Sequence, residues 1–458
     1  MSFMRRGLNV VSVALLLLAV GCNEALDTGG GDGGTGDTGG TDNGSNDNGT
    51  GGGTTTTVPA GAGFVQIIQP SPNAVALRGY TTANLTDYAK VGVRVLDFNG
   101  VPVSGHTVNF RLTNTIGDSS LTWSSINTNS EGEAYTWLLA GSVPGVTQVE
   151  FRMDILGVTG NVIEVNRHVA TTQPINMSTA VPVTDGISLS TNVYNPEGYN
   201  FDGVPVTITA HLGDMHRNPV ADGTIVNFLT NSGMVESSCA TSNGACSVEW
   251  RSAAPRSADG RVYILARTEG NDAFIDLNGN SRFDIGEDYT PQGEPFVDAD
   301  GSGNYTAGEF FWDRDQAGNY TAADPAALYR GFGCSNAALG AGHCAERADV
   351  FDGITLVNSG SFITLSPAPT AIAGSQTVTY TMVDQNGNVP PVGSTLTASC
   401  DGDANVDLWN DTVPGNPGSA MFSGWPVEVT YDVTGAANCT ITVQSPNGLG
   451  VRYMVAVN

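Results

Sequence analysis

Between Asn271 and Ala348 the chain sets oxygen-bearing side chains at a spacing that suits a hard divalent cation. Such an ion takes roughly six to eight oxygens, and a twelve-residue loop supplies them from positions 1, 3, 5, 7 (a backbone carbonyl), 9 and 12. The first stretch that fits is Asp276, Asn278, Asn280, Arg282, Asp284 and Glu287, with Ser281 at position 6, where a glycine usually makes the turn. The second is Asp298, Asp300, Ser302, Asn304, Thr306 and Glu309; it has Gly303 at position 6 and Tyr305 at position 8. The third is Asp313, Asp315, Asn319, Thr321 and Asp324. Ala317 offers no oxygen at position 5 and Asp324 is a short carboxylate for position 12, so this loop should bind more weakly. Residues 272–324 hold 12 Asp/Glu against 2 Arg, a net charge of −10. Like charges at this density repel unless cations neutralise them. The residue types therefore imply Ca²⁺, held at the ~10⁻⁴–10⁻³ M level of extracellular modules and acting structurally.

These loops resemble the EF-hand-like calcium loops of dockerins and thrombospondin repeats. Paired helices are not expected, because Pro291 and Pro295 interrupt the first connector and three residues separate Glu309 from Asp313. Phe310, Phe311 and Trp312 lie between the second and third loops. They suit either a small core of the insertion or an exposed ligand platform.

Elsewhere the groups that do chemistry are sparse. Lys90 is the single lysine, so Schiff-base chemistry has one candidate and no GK[ST] phosphate loop exists. The five histidines form no HExxH pair and no G-x-S-x-G elbow appears. His211 and His216 flank Asp214, but Asp214 heads a repeated turn, and a turn role is expected. No catalytic residue is expected, and the chain is read as not an enzyme.

The elements that must carry the loops are β-strands. Of 458 residues, 59 are Gly and 14% are charged, so the polar surface is built from Thr, Ser, Asn and Gly, a composition that suits extracellular β-modules. A net charge of −27 argues against nucleic acid, which is bound through Lys and Arg. From Gly63 onward short runs alternate apolar and polar residues, as in Val91-Gly-Val93-Arg-Val95 and Val108-Asn-Phe110. The stretch from Asp97 through Pro102-Val103 to Phe110 recurs from Asp214 through Pro219-Val220 to Phe228, and more weakly from Asp384 to Leu396. A second block repeats Thr128…Gly132…Trp137 as Thr241…Gly244…Trp250, each read as a turn feeding a strand that ends in a buried Trp.

These motifs resemble the bacterial immunoglobulin-like group 1 domain of invasin- and intimin-type adhesins. The resemblance implies all-β, tandem immunoglobulin-like sandwiches: residues 63–168, residues 169–358 with the acidic insertion at 272–348, and a divergent third module at 359–458. Modules of this family are mostly rigid spacers.

At the N-terminus, basic Arg5-Arg6, an apolar Val10–Val20 and Ala19-Val20-Gly21-Cys22 resemble a bacterial lipoprotein signal over residues 1–21. Cys22 would take the lipid, and Asn23 after it implies export to the outer membrane or cell surface. Residues 22–62 are Gly/Thr/Asp-rich and read as a flexible tether, with an r.m.s. span of roughly 35 Å. With Cys22 set apart, the other cysteines fall as Cys239/Cys246, Cys334/Cys344 and Cys400/Cys439. Three disulfides are expected, the first across a hairpin, contributing about 2.5, 2.7 and 4 kcal/mol in the chain-entropy account. The expected function is a non-catalytic envelope lipoprotein, a surface scaffold or adhesin-like protein with a protein or glycan ligand. The alternative is an accessory glycan-binding or envelope-assembly module.

Overall fold

A computed structural model describes residues 61–81, 85–159, 162–324, 327–345 and 347–458. The signal peptide, Cys22 and nearly all of the tether lie outside the described residues. Ala62, counted with the tether above, is buried in the first core, and its carbonyl accepts the Leu156 amide at 2.7 Å.

Each module is two packed sheets, and the alternation of the sequence decides which side chains face inward. In the first, Phe64–Ser71, Tyr88–Leu96, Glu133–Leu139 and Ser120–Leu121 pair in that order, facing Val162–Thr171, Val149–Thr159, Thr107–Leu112 and Ser125–Asn127. Val91, Val93 and Val95 point inward to meet Val108, Phe110, Val149 and Phe151 from the other sheet. Phe110 and Phe151 meet edge to face, with centroids 5.5 Å apart. The second module repeats the order: Ile187–Thr191, Pro205–Leu212, Ala245–Arg251 and Met234–Val235 face Ser238–Ala240, Ile225–Thr230, Arg261–Gly270 and Ala348–Val357. In the third, Thr364–Ser366, Gln376–Val383, Trp425–Val433 and Ala404–Trp409 face Thr395–Cys400, Ala437–Gln444 and Gly450–Val457. Its sequence copy is the weakest, yet its strands pair in the same order as in the other two, with one strand fewer in the second sheet. The chain is therefore all-β, a series of immunoglobulin-like sandwiches.

Several expectations change. The boundary expected after His168 falls within the strand Val162–Thr171, and Ile175–Ser178 still pairs with strands of the first sandwich. The disulfide Cys239–Cys246 is not a cross-strand bridge within one sheet. Cys239 lies in Ser238–Ala240 and Cys246 in Ala245–Arg251, strands of opposite sheets, so the bond ties the two layers at their turn. Cys334–Cys344 closes the loop around a short helix, Asn336–Gly340, and Cys400–Cys439 joins directly paired strands. Trp250 is fully buried, with its Nε1–H donating to the Ser232 carbonyl at 2.8 Å, but Trp137 is half-buried. Gly132 and Gly244 make the same left-handed turn, at φ 74° in both. Trp137 follows its glycine by one residue fewer than Trp250 follows Gly244, and a shift of one residue along a strand reverses the face.

The insertion leaves the second sandwich after Gly270 and returns at Ala348. Gly270 and Ala348 pair where it leaves and returns, and its start is held by Arg330, whose guanidinium donates to the buried Asp272 carboxylate at 2.9 Å, while the Asp272 amide donates to the Arg330 carbonyl at 2.8 Å. Further on, Val297 packs on Gly353, where a Cβ would approach Val297 to 2.8 Å, so only a glycine admits the contact.

Candidate metal centre

The three loops are built alike. The position-1 carboxylate gathers amides from the turn: Asp276 accepts from Gly279 (2.8 Å) and Ser281 (2.7 Å), Asp298 from Ser302 (3.0 Å) and Gly303 (2.8 Å), Asp313 from Ala317 (3.0 Å) and Gly318 (2.8 Å). Position 6 has positive φ in all three: 61° at Ser281, 76° at Gly303 and 79° at Gly318. The position-3 aspartates of the second and third loops accept from a hydroxyl at position 9, Thr306 to Asp300 and Thr321 to Asp315, both at 2.9 Å. Hydrogen bonds from Ser302 and Thr306 hold the Asp300 carboxyl below its ordinary value; the Ala317 amide and Thr321 hydroxyl do so for Asp315. In the first loop Asn278 and Asn280 both donate through Nδ2 to Asp284, at 2.8 and 2.7 Å. The Ser335 hydroxyl, then Asn278, lowers the Asp284 carboxyl.

Position 12 closes the first two loops through the amides of positions 2 and 9. Glu287 accepts from Leu277 (2.9 Å) and Asp284 (2.8 Å), and Glu309 from Ala299 (2.7 Å) and Thr306 (2.8 Å). In the third loop the equivalent amides are those of Arg314 and Thr321. Both donate to Glu294, at 2.7 and 3.0 Å. Glu294 lies before the second loop in sequence and is 1% exposed. It takes the place that spacing had given to Asp324, which is exposed and accepts the Ala327 amide on its backbone carbonyl at 2.9 Å. Glu294 lies outside the twelve residues of the third loop, so loop spacing does not point to it.

Carboxylate oxygens lie within 4.8 Å of one another in two groups among the described residues: Asp298, Asp300 and Glu309, and Glu294, Asp313 and Asp315. The first loop, with Asn at positions 3 and 5, forms no such group. An all-oxygen, multiply anionic donor set fits a hard cation such as Ca²⁺ and no soft metal. Asn304 has its carbonyl turned to the Ser302 hydroxyl at 2.8 Å, and Asn319 at the same place in the third loop is exposed.

Against protein-family models and curated proteins the chain finds no match. Among solved structures it is similar to the D0–D1 domain of intimin, at 18% identity over 46% of this chain and 92% of that one, TM-score 0.21. It is also similar to invasin, a bacterial integrin-binding protein (15%, 86% of this chain and 60% of that one, TM-score 0.24), and to InvD of Yersinia pseudotuberculosis (13%, 86% and 97%, TM-score 0.26). Likenesses at these scores decide nothing about this chain, whose fold rests on its own sheet order.

The aromatic residues between the loops hold the insertion together. Tyr305 and Tyr320, the position-8 residues of the second and third loops, stack at 3.9 Å, with Phe296 and Phe311 edge-on to them. Trp312 lies beneath the Arg267 guanidinium at 3.4 Å. Phe283, at position 8 of the first loop, stacks on Tyr329 at 4.4 Å. Phe310, Phe311 and Trp312 are each half-buried, Phe311 within the aromatic group and Trp312 against Arg267. One oxygen of Asp214 accepts the turn amides of His216 and Asn218 at 2.9 Å, in keeping with the turn role, and the other accepts the Thr179 amide and hydroxyl.

Proposed function

We propose that the chain is a non-catalytic cell-envelope lipoprotein, a surface scaffold or adhesin-like binding protein whose insertion is ordered by Ca²⁺. The observation that carries the calcium reading is the position 2–9–12 amide ladder, repeated three times and completed in the third loop by a glutamate from another segment. The ladder aims carboxylates inward where their mutual repulsion opposes folding, so a bound cation offsets the charge of the loops. The residues that would hold it are Asp298, Asp300, Ser302, Asn304, Thr306 and Glu309 in the second loop and Asp313, Asp315, Asn319, Thr321 and Glu294 in the third. Asp276, Asn278, Asn280, Asp284, Glu287 and the Arg282 carbonyl form the first set. The surface reading rests on the lipobox-like Ala19–Cys22, the Gly-rich stretch after it and three sandwiches in series, an arrangement suited to holding a ligand-binding end away from a membrane.

Two experiments test these parts separately. Thermal unfolding of the full chain should shift upward by several degrees in millimolar calcium relative to excess chelator, and Asp298→Ala with Glu309→Ala should abolish the tightest site in a calorimetric titration. An unchanged titration would defeat the calcium assignment. For the anchor, the mature protein should begin at an acylated Cys22 by mass spectrometry and become soluble as Cys22→Ala; an unmodified cysteine would remove the lipoprotein reading.

A further inference from the structure

Position 6 of the first loop departs from the other two. Gly303 and Gly318 are exposed there, whereas Ser281 holds φ 61° and is 0% exposed. A side chain in the left-handed region is disfavoured and persists where its surroundings over-determine it. Those surroundings come from two sandwiches. Tyr80 of the first is 4% exposed and donates its hydroxyl to the Ser281 carbonyl. His216 of the second places Nε2 at 2.9 Å from the Ser281 hydroxyl. The neighbouring Arg282 donates to the Arg78 carbonyl at 3.1 Å and to the Cys334 carbonyl at 3.4 Å, and its guanidinium lies 5.0 Å from the Tyr80 ring centre. Packing is close enough that a Cβ on Gly79 would lie 2.4 Å from Arg282 Nη2, and one on Gly333 2.6 Å from the Tyr80 oxygen.

We propose that the first loop of the insertion is a clasp that fixes the first sandwich on the second, with Ser281 and Arg282 as its contact residues. Ser281 stands where the loop alone would favour glycine because its side chain and carbonyl reach both modules. The Asp276 carboxylate, which receives the Ser281 amide, orients the clasp from within the loop. A cation held by this loop would then set the stiffness of the joint, a consequence that rests on the calcium reading above.

The test is pulsed-EPR distance measurement on the full chain in detergent, with spin-labelled unnatural amino acids at the exposed Asn109 and Ser247, one in each sandwich. A second pair, Asn227 and Ser247, lies within the second sandwich and reports its integrity. The wild-type distribution between sandwiches should be narrow. Tyr80→Phe with Arg282→Ala should broaden it at least twofold while the internal pair stays unchanged, and the milder Ser281→Gly should broaden it less. Wild-type width in the variants would overturn the clasp. Chelator should broaden the wild type as the double variant does. A narrow distribution in chelator, with calcium binding registered calorimetrically, would overturn the ionic link and leave the calcium reading standing. Absence of calcium binding would remove that reading, and the variants alone would then judge the clasp.

Discussion

Glu294 illustrates how one residue can complete a site that spacing assigns elsewhere. Buried, and bonded to the amides of Arg314, Asp315 and Thr321, it supplies charge where amide donors converge. Glu294→Gln keeps the shape and removes the charge. It should cut calcium stoichiometry by one and cost about 1.5–3 kcal/mol, the range for charge-assisted hydrogen bonds, checked by calorimetric titration and melting. Glu150 offers a test free of any ion. Arg111 donates to it at 2.7 and 2.8 Å, and Arg152 also bonds it. Chiefly through the Arg111 hydrogen bonds, its pKa is held down to about 2 from 4.5. A carboxyl depressed in the folded state adds stability above its unfolded value and loses it as pH falls through the folded one. Stability should thus decline between pH 4.5 and about 2, and Glu150→Gln should flatten that limb of an acid-unfolding curve.

At the scale of the strand, register decides what a residue contributes. Trp250 and Trp137 end matching blocks, yet one sits in the core and the other half in solvent. Trp250→Ala should cost about 3–5 kcal/mol in denaturant unfolding, as buried aromatic truncations do, and leave the Ser232 carbonyl with the Thr230 hydroxyl as its remaining side-chain donor. Trp137→Ala should cost less than half as much. The disulfide between Cys239 and Cys246 ties opposite sheets, so replacing both by Ala should lower stability by roughly 2.5 kcal/mol through the lost loop constraint. Far-UV circular dichroism should stay unchanged, since neither strand depends on the bond for its ladder.

At the scale of the molecule, the aspartates that head the second and third repeated turns do a second job at the joints. One oxygen accepts turn amides in all three modules, at Asn99 and Val101, at His216 and Asn218, and at Asn386 and Asn388. The other oxygen of Asp214 accepts the Thr179 amide (2.9 Å) and hydroxyl (2.8 Å), and that of Asp384 accepts the Gly360 amide at 2.8 Å. These are the segments that link one sandwich to the next. Burial raises the Asp384 carboxyl, while its amide donors pull the other way. Asp384→Ala should therefore free the linker at 358–363, read as faster limited proteolysis there, with the sandwich cores intact. Cleavage at the wild-type rate would reduce the residue to a turn former.

The amino-acid sequence alone was enough for most of the elements and for the common turn of the three acidic loops. Alternation, turn residues and repeated Asp-to-Pro-Val blocks describe local backbone preferences, and a loop whose donors lie within twelve residues is itself a local object. The third sandwich, faint as a repeat, was still legible through its alternating strands. What the sequence could not decide depends on surfaces that meet only after folding. Glu294 reaches the third loop because the aromatic stack of Phe296, Tyr305, Phe311 and Tyr320 brings separate segments together. Ser281 looks out of place where the matching loops carry Gly303 and Gly318 until Tyr80 and His216 are seen around it. Trp137 faces outward through a single residue of register. In each case the deciding partner is far along the chain, and the energy that selects it, burial and saturation of hydrogen bonds, exists only in the packed molecule.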